Sequence, residues 1–450
     1  MGSITVSRRD FLKLLGLTAG SLLITSCGAG AGAAANQVRI MVHSWGLAYA
    51  PFKEMAKKYN ALHPETPVSI EASPGGWETK VLGQIRSNKL QWSAAGVMTS
   101  FNDLAAWVQL GLIQPIDALI ASSQEAGAKT FLSDMLPPVK EDNSYESQMY
   151  GIPFSIENIS YLWNTELFTK AGITQAPKTW QELYDYSKAI KDYLASQGNT
   201  DTYAFCFDLG NLSRNLGTLM CSISDHPYTS EGLLDWESDE MRESLRFMRK
   251  LSRDGLTPPN CGEGLEIIDM WTRGRVAGLY SCSSRSVWAQ KVIGFDKVST
   301  ASVPTMDGQS HAGTVFWSNS VAILNSTSMP QQALDFLIYA VGPQNLEWQT
   351  AIVQAGTSPA FASVYAKTIE KDAAFEPYRW MSGLSKDVAL SAPAPKNFYY
   401  QVQNEAWNRH RSEYLDDKST MTEDELIQKI LKSTEEIIEG VLKSVPTAIP

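Results

Sequence analysis

The sequence predicts an α/β protein, and three observations carry that prediction. Residues 38–42, Val-Arg-Ile-Met-Val, read as a strand; Phe52, Met55, Ala56, Tyr59 and Leu62 recur at three- and four-residue spacing; residues 68–70 read as the next strand. A strand, an amphipathic helix and a second strand at this spacing suggest a parallel βαβ unit. Two capping boxes, Thr179-Trp180-Gln181-Glu182 and Thr422-Glu423-Asp424-Glu425, open long helical segments further on. The composition, 450 residues with 44% hydrophobic and 19% charged, excludes a mainly disordered chain and supplies core for two or three domains.

The elements follow in order. Pro51 suits the first turn of the helix that carries Phe52, because the missing N–H would have no partner there. Residues 77–87 read as another helix, and residues 104–110 as a further one that Gly111 ends; residues 112–116, Leu-Ile-Gln-Pro-Ile, leave it. In the first capping box the Thr179 hydroxyl and the Glu182 carboxylate satisfy free N–H groups of a helix running to about residue 194. Ser328 and Pro330 start a helix with Leu334, Phe336 and Leu337 apolar and Gly342 after it. The last helix runs from the second box to about residue 443, with Leu426/Ile427, Ile430/Leu431, Ile437/Ile438 and Val441/Leu442 as one apolar stripe. These features specify architecture and leave function open.

Charge and the N-terminus narrow the setting. Lys and Arg number 38 against 48 Asp and Glu, a formal charge of −10, which argues against nucleic acid as a partner. No apolar stretch reaches the ~18 residues of a membrane span. Arg8 and Arg9, an apolar run over residues 14–25, then Ser26-Cys27 stand in the order of a secretory signal and look like a twin-arginine export signal. Ile24-Thr25-Ser26-Cys27 resembles the lipobox of bacterial lipoproteins, which makes Cys27 the lipidated first residue of the mature chain. Residues 1–26 are then the signal, and residues 27–36, rich in Gly and Ala, a flexible tether. An extracytoplasmic body held to the cell membrane by lipid is expected. Outside the cytosol Cys206, Cys221, Cys261 and Cys282 either pair as two disulfides, in one of three connectivities, or stay free and buried.

Motifs of catalysis are missing. His43, His63, His226, His311 and His410 are scattered, none lies in an HExxH, and neither a GxSxG elbow nor a GxxxxGK[ST] phosphate loop occurs. No CxxC spacing invites zinc, and no cofactor is expected. Aromatic residues are the positive signal: 13 Trp, 17 Tyr and 15 Phe. Trp45, Trp77, Phe101, Trp317, Phe398 and Tyr399 fall at expected strand ends or in loops. Flat rings there can stack on the C–H faces of sugars while polar neighbours bind hydroxyl groups. Trp180, Trp348 and Trp407, within helical segments, read as structural.

Several segments carry a resemblance. Tyr150-Gly151-Ile152-Pro153, then Tyr161-Leu162-Trp163-Asn164-Thr165-Glu166-Leu167-Phe168, then Ala171-Gly172-Ile173 and Pro177-Lys178-Thr179-Trp180-Gln181-Glu182-Leu183 look like the family pattern YGxP, YYNKxLFxxAG, PPKTWxEL. Residues 111–117 fit GLLxPLD, residues 274–277 fit GKAAM, and residues 333–337 fit AxEFL. Residues 38–445 thus resemble the maltodextrin-binding-like, extracellular solute-binding proteins of ABC sugar importers. The resemblance implies a two-lobe periplasmic-binding-protein fold of type II, with ligand held in the cleft between lobes. Residues 37–155 with 316–365 would form one lobe and residues 156–315 with 366–445 the other, with crossings near 156, 315 and 365. A monomer that binds a mono- or oligosaccharide unaltered and delivers it to permease subunits is the expectation.

The same resemblance implies site residues. Trp45 stands at the ligand-lining end of the first strand; Trp77 is a further candidate ring from its aromatic placement alone. Asn102 and Asp103 fall where the family places sugar-hydroxyl ligands. Glu157 matches an acidic ligand at the first crossing, and Asn211 falls in a ligand loop. Trp317 occupies a place that is often Gly, and Phe398 and Tyr399 match a late aromatic segment. The family's Gly-Pro-Trp is replaced by Cys282-Ser283-Ser284-Arg285, with Trp288 following. Either Trp288 or Trp317 substitutes for the lost ring, or Arg285 binds a different, anionic group of a ligand. The alternatives are an importer protein for a non-sugar or anionic solute, a cell-surface carbohydrate-active enzyme using Glu157 and Asp103, and a tethered adhesion or sensor protein.

Overall fold

A computed structural model describes residues 36–73, 91–98, 103–109, 111–208, 211–230, 232–258, 264–309, 311, 313–391 and 400–443. The βαβ unit is present: β1 (Val38–His43), α1 (Phe52–Leu62) and β2 (Val68–Ser73), with β1 and β2 parallel in register from Val38↔Val68 to His43↔Ser73. Phe52, Met55, Ala56 and Tyr59 are the buried face of α1, as the spacing requires. β3 (Ala94–Met98) pairs parallel with the other side of β1, and α2 (Asp103–Gln109) follows it. The helix expected over residues 77–87 lies outside the described residues. Residues 112–116 form no strand; Ile113 makes one isolated bridge to Leu324.

The central element is β4 (Gly151–Asn164), a strand of 14 residues buried at every position except Trp163. Beyond it lie α3 (Trp180–Ser196), β5 (Tyr203–Phe207), α4 (Asp239–Arg253), β6 (Val276–Cys282), α5 (Ser284–Ile293), β7 (Val298–Ala301) and β8 (Phe316–Ile323). The chain ends through α6 (Pro330–Val341), α7 (Leu346–Gln354), α8 (Met381–Leu390), α9 (Tyr400–Leu415) and α10 (Glu423–Lys443). The mixed sheet runs β2-β1-β3-β8-β4-β6-β5, with β7 also on β4. β4 changes partners halfway. Residues from Gly151 to Asn158 pair antiparallel with β8, and those from Ile159 onward pair antiparallel with β6 and β7.

That change of partner separates two hydrophobic cores. Ile40, Phe52, Phe154, Ile156, Phe316, Phe336 and Trp348 belong to the first, and Val388 of α8 packs into it. Ile159, Tyr161, Phe205, Phe207, Trp271, Tyr280 and Trp407 belong to the second. Trp348 stands edge-on to Phe52 at 4.7 Å and donates its indole N–H to the Phe154 carbonyl at 3.1 Å. Trp180 stacks on Phe247 at 4.4 Å and donates to the Ser222 hydroxyl at 3.0 Å. Both rings, and Trp407, are core residues, as their helical settings suggest.

A strand buried on both faces ordinarily reads as an unbroken apolar run. Here Ser155, Glu157, Asn158 and Ser160 of β4 and Ser318, Asn319 and Ser320 of β8 are buried polar residues between the two cores. Burial obliges them to pair. Asn143 donates to Ser318 Oγ at 2.8 Å and accepts from Ser320 Oγ at 2.6 Å, and Asn158 donates to Ser160 Oγ at 3.0 Å.

Cys206, Cys221 and Cys282 are buried and take part in no disulfide, so among the described residues none of the open pairings is formed; Cys261 lies outside them. The described residues contain no cluster of three or more metal-ligating side chains, and no helix among them is long and apolar enough to cross a membrane.

Candidate functional site

The polar seam is where side chains from both cores meet. On the side of the first core, β1 ends in His43 and runs into the short helical turn Ser44–Leu47. This turn stacks three rings: His43 on Trp45 with centroids 5.0 Å apart, and Trp45 on Tyr49 at 6.2 Å. His43 is buried, whereas Trp45 is 39% exposed, unusual for so large an apolar ring. The Tyr49 hydroxyl shares a hydrogen bond of 2.9 Å with Ser155 Oγ, which also accepts from Asn319 Nδ2 at 3.1 Å. The aromatic stack is thereby tied to the middle of β4 and β8.

Two residues further along β4, Glu157 faces Trp317 across the antiparallel pair. Ser284, at the start of α5, donates its hydroxyl to Glu157 Oε2 at 3.2 Å. The next residue is Arg285, whose guanidinium lies over the Trp288 ring at 3.8 Å. Its backbone carbonyl accepts from the Trp271 indole at 3.0 Å, which anchors the first turn of α5 to the second core. The turn is also seated on the other side: Ser283 Oγ donates to the Gly356 carbonyl at 2.9 Å. Gly356 has φ of +84°, and a Cβ there would lie 2.8 Å from the Ser284 Cα. Only glycine supplies both the left-handed backbone and the close approach.

A second cation completes the cluster. Arg214 ends the single helical turn Leu212–Arg214, donates to Asp208 Oδ2 at 2.9 Å and lies over the Trp317 ring at 5.4 Å. Electrostatics follow from this crowding. Burial pushes the Glu157 carboxyl above its ordinary range, and the nearby Arg285 charge, the Ser284 bond and Arg214 oppose the shift without cancelling it. Burial raises the Cys282 thiol to about 11, keeping it un-ionised at neutral pH. Tyr49 is pushed upward by burial, with the Glu157 charge adding to it. His43 is pushed down to about 4 by burial, so its ring is neutral. The arrangement offers flat rings, hydroxyl and amide groups and two guanidinium groups, which can hold a polar molecule in place.

Of the residues expected from sequence, Trp45, Glu157, Arg285, Trp288 and Trp317 fall in this region. Trp288 is 45% exposed, but Trp317 is only 3% exposed and packs into the second core beneath Arg214. In this conformation Trp288 is therefore the ring on offer beside Arg285. Asn211 is half-buried at the start of the turn that carries Arg214, and its carbonyl accepts from the Arg214 N–H at 3.0 Å. Trp77, Asn102, Phe398, Tyr399 and Cys27 lie outside the described residues, as does the side chain of Asp103. Sequence reasoning missed Tyr49, Ser155, Arg214 and Asn319. Arg214, a cation between Leu212 and Leu216, carried a faint signal; the others look like ordinary α/β residues until the strands pair.

Comparison with known proteins gives these residues a context. The profile of the family described as bacterial extracellular solute-binding protein matches residues 54–377. A putative binding protein of Brucella abortus is 23% identical over 332 residues, 72% of this chain and 76% of that protein. The sn-glycerol-3-phosphate-binding periplasmic protein of Escherichia coli K12 is 22% identical over 205 residues, 45% of this chain and 46% of that one. Among solved structures, the sugar-binding protein MalE of Xanthomonas citri matches with a TM-score of 0.73 at 16% identity, covering 91% of this chain and all of its own. The maltose-bound MalE3 of Thermotoga maritima matches with a TM-score of 0.71 at 15% identity, covering 89% of this chain and 99% of its own. The fold is accordingly the two-lobe α/β arrangement of periplasmic binding proteins.

Proposed function

The chain belongs to the bacterial extracellular solute-binding protein family, and from that premise we propose that it binds a carbohydrate outside the cell and passes it, chemically unchanged, to the membrane subunits of an ABC importer. The observation that carries the reading is the exposed Trp45 ring, stacked on Tyr49 and tied through Ser155 and Asn319 to the strand shared by both cores. Rings at such a place suit the C–H faces of a sugar, and the hydroxyl and amide groups beside them suit its hydroxyls. MalE-like neighbours described as sugar-binding support the same reading. The lobes divide at the partner change of β4, and closure of one onto the other buries the ligand and presents a surface that the importer reads. The protein acts as a monomer and performs no catalysis.

A thermal-shift panel of mono- and oligosaccharides tests this. At least one glycan raises the melting temperature, and Trp45→Ala abolishes the rise while leaving the unliganded melting temperature within about 2 °C, since the ring is largely solvent-facing. No shift with any glycan, alongside a clear shift with another solute class, would remove the sugar and keep the transport role.

Residues 1–26 direct export, and Cys27 carries the lipid that holds the body to the membrane, its short Gly/Ala tether leaving the body free to meet the permease. The Cys27→Ser protein is expected in the soluble fraction; its retention with membranes overturns the anchor.

A further inference from the structure

The Arg285 side chain has more hydrogen-bonding capacity than its surroundings use. Its guanidinium carries five N–H donors in a rigid fork. Among the described residues it donates no hydrogen bond and forms no ion pair, and its buried Nε has no acceptor. Its guanidinium lies on the Trp288 face at 3.8 Å, which fixes the plane of the fork without occupying its edge. Glu157 is the nearest acidic influence, yet its Oε2 is held by Ser284 and it makes no ion pair with Arg285.

Arg214 repeats the pattern nearby. Among the described residues its Nη1 bond to Asp208 is its one hydrogen bond to a side chain, its buried Nε has no acceptor, and a tryptophan face, Trp317, orients it at 5.4 Å. Both guanidinium groups act on the same two neighbours, Glu157 and Cys282. Of the two cations, Arg214 has a carboxylate partner within bonding distance and Arg285 has none among the described residues. Arg285 is half-buried, so solvent meets its terminal donors in this conformation, and a ligand that excludes that water must supply acceptors in its place. A neutral hydroxyl gives one weak acceptor, whereas a carboxylate or phosphate gives two oxygens at the spacing of the fork.

Building on the binding role proposed above, we infer that the ligand carries an anionic oxygen group, a carboxylate or a phosphate ester, that docks on Arg285 with Arg214 behind it. A carbohydrate bearing an acidic group, a uronate or a sugar phosphate, is the substrate class that satisfies the ring stack and the fork together. Asp208 then acts as a positioning residue for Arg214, and Glu157 holds the α5 turn through Ser284.

Calorimetric titration of the purified chain with matched probes tests the inference: a neutral disaccharide, the same disaccharide with one uronate, and the same with one phosphate ester, plus citrate and inorganic phosphate. The expected result is at least tenfold tighter binding of one acidic disaccharide than of the neutral one; the uronate and the phosphate arms separate the two sources of charge. Arg285→Gln then removes that preference, read as the ratio of the acidic to the neutral affinity of the same variant. Arg285→Lys, which keeps charge but not the fork, restores only part of it, and an unchanged melting temperature for both variants shows that they fold. Equal or tighter binding of the neutral disaccharide, or an acidic preference that survives Arg285→Gln, overturns the inference while the sugar-binding role stands. Response to citrate or phosphate alone supports the anion site and overturns the sugar; response to none of the probes overturns both.

Discussion

Asp387 and His43 show how burial alone gives a single side chain a pH dependence. Asp387, on α8, receives the Ser302 hydroxyl at 2.9 Å, and burial lifts its carboxyl to about 6. The folded protein therefore binds this proton more tightly than the unfolded chain, whose carboxyl titrates near ~3.9. The associated stability is complete below about pH 4 and is lost as pH rises toward 6. Asp387→Asn keeps an acceptor for Ser302 and removes the charge. It is expected to stabilise the protein by about 1–2 kcal/mol at pH 7.5 and by nothing measurable below about pH 4, read by urea denaturation at both pH values. An equal effect at both would show that the charge is irrelevant. His43 has the opposite sign: depressed to about 4, it holds stability above the unfolded value of ~6.5 that is lost as pH falls. Between pH 4 and 6 the two residues oppose each other.

Helix ends were the most legible elements in the sequence. Thr179 is the N-cap of α3, accepting from the Glu182 N–H at 3.1 Å, but the Glu182 carboxylate returns to the Lys178 N–H, one residue before the cap. The box at α10 closes reciprocally: Glu425 accepts from the Thr422 N–H at 2.8 Å and its own N–H donates to Thr422 Oγ1 at 3.2 Å. Thr422→Ala leaves the Glu425 N–H at that end without its partner and is expected to cost about 1 kcal/mol in chemical denaturation. A loss below about 0.3 kcal/mol would mean that solvent caps the helix equally well. α6 needed no side-chain cap, because Pro330 at its first turn has no N–H to satisfy. Local signals of this kind come from residues three or four apart, so spacing alone exposes them. The polar seam was not legible. Ser155 and Asn319 lie 164 positions apart, and nothing in either neighbourhood says that β8 returns to lie on β4. Trp45 was marked by its place at a strand end, Glu157 and Arg285 were found through family resemblance, and Arg214 was not found at all.

At the scale of the molecule, one strand belongs to both halves. β4 carries the Ser155 contact to the Trp45–Tyr49 stack and the Glu157 contact to the α5 turn, which rests in turn on Gly356. Movement of the two cores against each other must bend β4, shift these polar contacts and repack the apolar contact of Val287 on α5 with Val353, Tyr365 and Ile369. A ligand that bridges the ring stack and the α5 turn would bias that movement by the contacts it makes in only one arrangement. Isothermal titration of the purified protein with carbohydrates tests this account most directly, because the same trace reports binding and turnover. The account predicts that one glycan, neutral or acidic, saturates at one molecule per chain and is recovered intact, with heat returning to baseline after each injection. A steady heat of reaction that consumes the glycan, or no heat with any carbohydrate, would contradict it.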